Sequence, residues 1–376
     1  MLTEKPSFSR SREKVVAKQP DEGGASAFMP LFSPLASSAG LLLAVSGGPD
    51  STALLLLIDR WRTDTGVPVA VATVDHRLRA GSAQEAHAVA ALCAARGLAH
   101  HTLVREGDAP KTRLQERARE ARYALLAGCA KNIGADTIVT AHHADDQAET
   151  ILMRLTRGSG PAGLAGMSAL SRRDGVAIAR PLLALPKAYL VAVCRAEGVA
   201  FAEDPSNDNA AFRRVALRRL AATLTGQGLG ADALRRLGRR AARAEAALQW
   251  AQDRARTGLN AAATDDETAF PAQAFGQLPE ELAVRLIGVE LARLSPQAFR
   301  LERLETLAAA LRAALLRDEP FAATLAGCAI RIRRGSVIIA RAPARRTVDM
   351  TNLSSQDDED RYLSSPPLLG KAEGDA

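Results

Sequence analysis

The stretch Ser46-Gly47-Gly48-Pro49-Asp50-Ser51-Thr52 is the part of this chain that best predicts its fold. It follows an apolar run, 41–45, that is typical of a buried strand, and precedes another, 53–58, that is typical of a packed helix. Glycines let the backbone turn sharply and approach a ligand, and a helix N-terminus attracts anions. The stretch therefore predicts a phosphate-binding loop. The alternative is a Gly-Pro turn that Ser46 or Asp50 caps.

Two common nucleotide loops are excluded by the spacing of this stretch. A Walker A loop has a lysine before its Ser/Thr, and a dinucleotide fingerprint has different glycine intervals. The stretch instead resembles the pyrophosphate-binding loop of the PP-loop ATPases, typically Ser-Gly-Gly-x-Asp-Ser. The resemblance implies cleavage of ATP between its α- and β-phosphates and adenylation of a carbonyl-type oxygen. The residues expected to bind ATP are Ser46, Gly47, Gly48, Pro49, Asp50 and Ser51.

Strand-like and helix-like patterns alternate after this loop, which predicts an α/β domain with a doubly wound, mostly parallel sheet. The resemblance of the loop implies that this sheet is of PP-loop ATPase type. Near residue 225 the composition changes to glycines followed by Ala/Arg-rich helical patterns, and short strands are expected near 320–342. The predicted organisation is a variable, disordered arm at 1–38, a PP-loop catalytic domain at 39–222, a mainly helical C-terminal domain at 223–343, and a disordered tail at 344–376.

Polar residues follow two further predicted strands, where ligands of parallel sheets bind. Asp75, His76 and Arg79 come directly after the second strand, and they can hold ribose hydroxyls and phosphates. A charged, solvated loop is the alternative interpretation.

The second polar segment, 141–150, ends the fourth predicted strand and contains His143, Asp146 and Glu149. Because Asp146 and Glu149 are three residues apart, they share a helical face, where two carboxylates can hold Mg²⁺ or a cationic amine. Asp146 as N-cap with Glu149 at N3 would equally form a capping box. Both interpretations remain open from the residues alone.

Arg119 and Arg122 lie on one face of the helix predicted at 113–131. They can face a nucleotide, or they can belong to a solvated surface helix with small gains from neighbouring charges. The spacing alone favours the surface helix.

Composition limits the classes of protein. The chain has 49 Lys and Arg against 42 Asp and Glu, a net charge of +7 that favours an anionic partner such as nucleic acid or nucleotide. Its four cysteines are too widely spaced for a Cys-x-x-Cys metal or redox motif, so buried thiols are expected. No apolar run approaches the roughly 20 residues that span a bilayer, and the N-terminus lacks a signal-like core. We therefore expect a cytoplasmic protein with no membrane partner.

Taken in order along residues 40–220, the motifs resemble the tRNA(Ile)-lysidine synthetase family of PP-loop proteins. The matching segments are 46–51, 75–79, 118–123, 142–150, 157–164, 180–183 and 204–207. This resemblance implies ATP-dependent ligation of free L-lysine to C2 of the wobble cytidine in a CAU-anticodon isoleucine tRNA. The resemblance also implies that the domain at 223–343 binds the tRNA and that the protein forms a homodimer.

The resemblance also implies roles for single residues. Asp50 would orient Mg²⁺, and Arg119 or Arg122 would stabilise phosphate charge during the reaction. Asp146 and Glu149 would bind the lysine ammonium and ease its deprotonation. The catalytic group is then Asp50, Arg119, Arg122, Asp146 and Glu149, with substrate contacts from Asp75, His76, Arg79, His143, Asp146 and Glu149.

Two rival functions are a PP-loop tRNA thiolase and a non-catalytic RNA-binding protein. The thiolase is disfavoured by the absence of a Cys-x-x-Cys pair. The non-catalytic protein is disfavoured by the presence of Asp50, Asp146 and Glu149.

Overall fold

The computed structural model describes residues 28–75, 82–104, 114–202, 220 and 223–342. The chain divides into two compact units, one ending at Gln249 and the other beginning at Trp250. Helix α8, Ala231–Gly258, runs through this division. The division lies beyond the predicted boundary at 222/223, because Leu234 at the start of α8 packs in a cluster with Ile151 and Leu152.

A six-stranded sheet forms the centre of the first unit, in the order β3-β2-β1-β4-β6-β5. Its strands are β1 Leu41–Ala44, β2 Val69–Asp75, β3 Ala99–Val104, β4 Thr137–Val139, β5 Leu170–Arg173 and β6 Val176–Ala179. All neighbouring pairs are parallel except β5–β6. The predicted doubly wound, mostly parallel sheet is confirmed.

Helices cover both faces of this sheet. Those of the first unit that precede α8 are α1 Met29–Phe32, α2 Pro49–Thr65, α3 Ser82–Ala95, α4 Leu114–Asn132, α5 Ala144–Leu155, α6 Pro161–Leu164 and α7 Lys187–Ala196. Leu41 and Leu43 of β1 pack in one cluster with residues of α2, α3 and α7, whereas Leu42 and Ala44 pack with residues of α4. Because both faces of β1 are buried, its sequence is a continuous apolar run rather than an alternating one.

Residues 28–38 differ from the disordered arm predicted at 1–38. They form α1 and a following 3-10 turn at Ser33–Leu35, and Phe32 and Leu35 are buried in the core cluster. The Phe32 ring lies 6.1 Å from the Trp61 ring. The prediction is wrong for these residues because tertiary burial outweighs a Ser- and Pro-rich composition. Residues 1–27 and the predicted tail at 344–376 lie outside the described residues.

The second unit combines helices with an antiparallel sheet in the order β7-β8-β11-β10-β9. After α8 its elements are β7 Ala262–Ala263, β8 Glu267–Pro271, α9 Ala272–Gly276, α10 Glu280–Leu294, α11 Leu301–Arg317, β9 Ala322–Leu325, β10 Cys328–Arg333 and β11 Ser336–Arg341. The strands predicted near 320–342 are confirmed, but β7 and β8 were not predicted. The sequence does not predict β8 because polar Thr268 occupies a buried position where the pattern of a strand would have an apolar residue. The buried Thr268 hydroxyl donates a 2.7 Å hydrogen bond to the buried Glu290.

Across the described residues, none of the helices is both long and apolar enough to cross a membrane.

Candidate active site

The predicted phosphate loop joins β1 to α2 at the carboxyl edge of the parallel strands. Gly47 has a φ of 85°, which an L-residue adopts only with strain. Gly48 is the N-cap of α2, no side chain caps this helix, and Pro49 occupies its first turn. The first turn of α2 therefore presents its N–H groups to an anion without competition from a capping side chain.

Two serines hold the shape of this loop. The Ser51 hydroxyl accepts a 3.1 Å hydrogen bond from the Ser46 N–H and donates one of 3.1 Å to the Gly48 carbonyl. The Ser46 hydroxyl lies 3.2 Å from that of Ser51. Ser51 is buried whereas Ser46 is exposed. Ser51 is thus a structural member of the loop, and Ser46 is the serine that a ligand can reach.

Helix α5 begins at the same edge with His143 as its N-cap. Asp146, at N3, accepts a 3.1 Å hydrogen bond from the His143 N–H. A capping box is therefore present, but the version predicted with Asp146 as N-cap and Glu149 at N3 is wrong. The helix starts one turn earlier than predicted, so Glu149 lies in its second turn.

The buried His143 ring connects the phosphate loop to α5. Its Nε2 lies 3.5 Å from Asp50 Oδ2 and 3.4 Å from Asp146 Oδ2, and its Nδ1 lies 3.4 Å from Asp145 Oδ2. Burial acts to lower the pKa of His143, but hydrogen bonds to Asp145 and Asp50 and the charges of Asp146 and Asp50 raise it to about 9. At neutral pH the ring is therefore a cation among carboxylates.

Protonation decides which contact His143 Nδ1 makes. The neutral ring accepts a 3.2 Å hydrogen bond from the Asp145 N–H, whereas a protonated Nδ1 can only donate. The raised pKa of His143 favours donation to the Asp145 carboxylate at neutral pH. The same hydrogen bond from His143 lowers the pKa of Asp145 to about 2, against a desolvation effect that raises it.

Lys187 and Asp145 also belong to this site, although no motif in the sequence points to either residue. The Lys187 N–H donates a 2.8 Å hydrogen bond to Asp145 Oδ2, and its Nζ lies 3.9 Å from Asp50 Oδ2. The only local signal was that Pro186 precedes Lys187, which suggests a helix start and not a ligand contact. A pocket of about 380 Å³ lies here, and its lining residues are His143, Asp145, Glu149, Pro186, Lys187 and Ala188.

The side chains in and beside this pocket fit a magnesium–phosphate complex better than a bare metal site. Among the described residues, no three His, Cys, Asp or Glu side chains form a ready metal cage. Asp50 Oδ1, however, is buried and has no hydrogen-bond partner in the described part of the chain. Mg²⁺ commonly takes one or two carboxylates together with substrate phosphates and water. Asp50 beside the anion-binding turn of α2 suits that arrangement.

Of the residues predicted after the second strand, only Asp75 is described. It is buried at the end of β2, which pairs with β1, so it lies at the same carboxyl edge as the loop. His76 and Arg79 lie outside the described residues.

Arg119 and Arg122, the two arginines predicted to be catalytic, lie on α4. The exposed Arg119 guanidinium stacks on the Tyr123 ring at 5.1 Å, as does that of Arg173. Burial lowers the pKa of Arg122. None of the contacts observed between described residues joins either α4 arginine to Asp50, so their catalytic role stays a prediction.

The glycine-rich segment after α5, 157–167, is anchored to that helix. The Gln147 side chain donates to the Met167 carbonyl at 2.8 Å and accepts from its N–H at 2.6 Å. Arg154 donates to the carbonyls of Gly163 and Gly166, each at 2.7 Å. Helix α5 thus positions this segment as well as Asp146 and Glu149.

Comparisons with known proteins identify the family of this chain. A model of the PP-loop domain matches residues 22–224. The tRNA(Ile)-lysidine synthase of Methylobacterium sp. strain 4-46 is 47% identical over 314 residues, covering 82% of this chain and 91% of that protein. The synthase of Bradyrhizobium diazoefficiens is 45% identical over 337 residues, covering 84% of this chain and 93% of that protein.

Among solved structures, the U34-tRNA thiolase NcsA from Methanococcus maripaludis is similar with a TM-score of 0.49 and 15% identity, covering 58% of this chain and 78% of that chain. The matches to the two synthases extend over most of both chains. The chain therefore belongs to the tRNA(Ile)-lysidine synthase family of PP-loop proteins.

Proposed function

We propose that this protein uses ATP to ligate free L-lysine to C2 of the wobble cytidine in a CAU-anticodon isoleucine tRNA, forming lysidine. The names of its relatives support the tRNA substrate and the reaction class. The observation that supports it most directly is the convergence of two elements. The anion-binding start of α2 and the carboxylate-bearing start of α5 meet through His143, with Asp50 and Asp146 each within 3.5 Å of its ring.

In the first step, cytosine O2 bonds to the α-phosphorus of ATP while the bond from that phosphorus to the bridging oxygen breaks. The electron pair leaves with pyrophosphate, and the product is an adenylated cytidine. The backbone N–H groups of residues 47–51 would hold the departing pyrophosphate. Asp50 would hold Mg²⁺, which supplies charge neutralisation to the phosphates when bound.

In the second step, the lysine ε-amine bonds to C2 while the C2–O bond breaks and AMP leaves with the electron pair. The ε-ammonium must first lose a proton, and Asp146 or Glu149 is the candidate acceptor. His143 would keep Asp146 oriented, since the backbone N–H of His143 donates to that carboxylate at 3.1 Å. Adenylation makes this displacement possible because AMP is a far better leaving group than a carbonyl oxygen.

The partners and the remaining residues complete the proposal. Asp75, His76 and Arg79 would contact the nucleotide or the tRNA from the β2 end, and residues 223–343 would bind the tRNA. Arg119 or Arg122 would stabilise the migrating phosphate charge. The homodimer and the cytoplasmic location stay predictions.

The rival thiolase is not favoured. All four cysteines are buried, and burial raises the pKa of each thiol, in Cys93 and Cys194 to about 11. Such thiols are protonated at neutral pH and are poor nucleophiles.

The decisive experiment separates the two products of ATP. With Mg·ATP and the CAU tRNA but no lysine, the protein should release at most one pyrophosphate for each tRNA molecule. The AMP should stay bound to the wobble cytidine. Adding lysine should release AMP in proportion to lysine incorporated. An Asp50→Asn variant is the matched control and should form neither product. Free AMP that accumulates at the same rate without lysine would refute the proposal.

A further inference from the structure

Several carboxylates lie where the anionic triphosphate of ATP would have to bind, so a cation at this place would favour binding. Asp50, Asp145, Asp146 and Glu149 lie at or next to the pocket, and the triphosphate that must enter is itself strongly anionic. Of the six residues that line the pocket, His143 and Lys187 can be cationic. His143 already contacts Asp50, Asp145 and Asp146. Lys187 is therefore the lining cation best able to meet a ligand.

The backbone of Lys187 is fixed relative to both other helix starts. Its N–H donates to Asp145 Oδ2 at 2.8 Å, and the preceding Leu185 carbonyl accepts from the Ala144 N–H at 2.8 Å. On the other side, the Cys194 thiol of α7 donates to the Pro49 carbonyl at 3.3 Å. Helix α7 is thus joined to the start of α5 at its first residue and to the start of α2 through Cys194 near its end. The ammonium of Lys187 lies beside Asp50 of the phosphate loop.

The side chain itself is positioned for a ligand rather than for a structural ion pair. Its Nζ lies 3.9 Å from Asp50 Oδ2, at the limit of an ion pair, and the side chain is 47% exposed. Pairs at such exposure contribute little to stability. A phosphate oxygen that entered beside Asp50 would compete well for this ammonium.

We propose that Lys187 binds the β- and γ-phosphates of ATP and then the departing pyrophosphate. It would supply, from the start of α7, the ammonium that Walker A loops carry in their own sequence and that the stretch 46–52 lacks. When the bond between the α-phosphorus and its bridging oxygen breaks, the electron pair and the added charge pass to pyrophosphate, which lies beside this ammonium. This inference rests on the proposed function.

Another anion could use the same ammonium. Glu149, the candidate partner of the lysine ammonium, lines the same pocket as Lys187. A lysine bound to Glu149 could therefore direct its carboxylate to the ammonium of Lys187. The position of Nζ next to Asp50 of the phosphate loop favours the phosphate, and the experiment below separates the two.

The test compares Lys187→Ala and Lys187→Arg with Lys131→Ala, which removes an exposed lysine in the last turn of α4. Binding of Mg·ATP, Mg·pyrophosphate and AMP is measured by calorimetry without tRNA or lysine. One charge-assisted phosphate contact corresponds to a loss of about 10- to 100-fold in affinity. Lys187→Ala should lose that much for ATP and pyrophosphate and little for AMP. Lys187→Arg should recover much of it, and Lys131→Ala should match the wild type.

Two results would overturn the assignment. The first is pyrophosphate affinity in Lys187→Ala equal to that of the wild type. The second is a raised KM for lysine with unchanged ATP affinity, together with lost discrimination between lysine and cadaverine, which would assign Lys187 to the amino-acid carboxylate. If Lys187→Ala loses pyrophosphate binding but the wild type incorporates no lysine, the proposed function fails while the Lys187 assignment stands.

Discussion

Substituting Gly47 by alanine should destabilise the first unit, whereas the same change at Gly48 should not. Gly47 has a φ of 85°, and an L-residue in the left-handed region costs about 1–2 kcal/mol. Steric contact adds little, because a Cβ at Gly47 would lie 3.5 Å from Val89 Cγ2, an ordinary van der Waals distance. Gly48, with φ −73° and ψ 165°, is in an extended conformation that alanine adopts readily.

The two variants should therefore differ by about 1–2 kcal/mol, or roughly 5- to 30-fold in the folding equilibrium. The chain offers a clean optical probe, since its two tryptophans are the buried Trp61 of α2 and Trp250, which is 64% exposed. In a Trp250→Phe background, urea unfolding followed by fluorescence reports Trp61 alone. Calorimetry with Mg·ATP should also show weaker binding by Gly47→Ala. Equal unfolding midpoints for Gly47→Ala and Gly48→Ala would refute the strained-loop argument.

Three further predictions test other parts of the site and its support. Glu149→Gln should raise the KM for lysine and slow lysidine formation while ATP affinity stays near wild type, with the exposed Glu302→Gln as control; wild-type kinetics would remove Glu149 from the site. Gly238→Ala should lower the free energy of unfolding by about 1–3 kcal/mol through overpacking, since its Cβ would lie 2.5 Å from Ile151 Cδ1. Gly128→Ala, in α4, should raise it by about 0.5–1 kcal/mol, because no atom lies within 4 Å of the added Cβ. Equal urea midpoints for the two variants would contradict this packing. At pH 8 a thiol with a pKa of about 11, as in Cys93 and Cys194, is about one part in a thousand thiolate. These two thiols should therefore resist iodoacetamide in the native protein, whereas the denatured protein should be labelled at all four cysteines. Rapid labelling of Cys93 or Cys194 in the native protein would contradict the raised pKa values.

Local patterns were sufficient to predict most of the first unit. The run Leu41–Val45 is apolar at every position because β1 is central and covered on both faces, and the glycines at 47 and 48 mark the turn that follows it. The phosphate loop, the end of β2 and the start of α5 each follow a strand of the parallel sheet. Parallel topology alone therefore predicts that they lie at one edge of the sheet.

Features that depend on tertiary approach could not be read from the sequence. Lys187 acquires its position only because α7 packs beside α2, and nothing in the local sequence records that contact. The sequence predicts Asp146 rather than His143 as the N-cap of α5, because aspartate is a more common N-cap residue than histidine. The sequence does not predict strand β8, because the burial of polar Thr268 depends on its hydrogen bond to Glu290 of α10, 22 residues along the chain.

The central claim is the transfer of lysine to one nucleoside, and the most direct measurement is mass analysis of that nucleoside. The CAU-anticodon isoleucine tRNA is incubated with the protein, Mg·ATP and lysine labelled with ¹³C and ¹⁵N, digested, and analysed by mass spectrometry. The account predicts a wobble cytidine heavier by labelled lysine minus water, and its absence when ATP or lysine is omitted. An unmodified cytidine, or a mass gain that does not carry the isotope label, would contradict it.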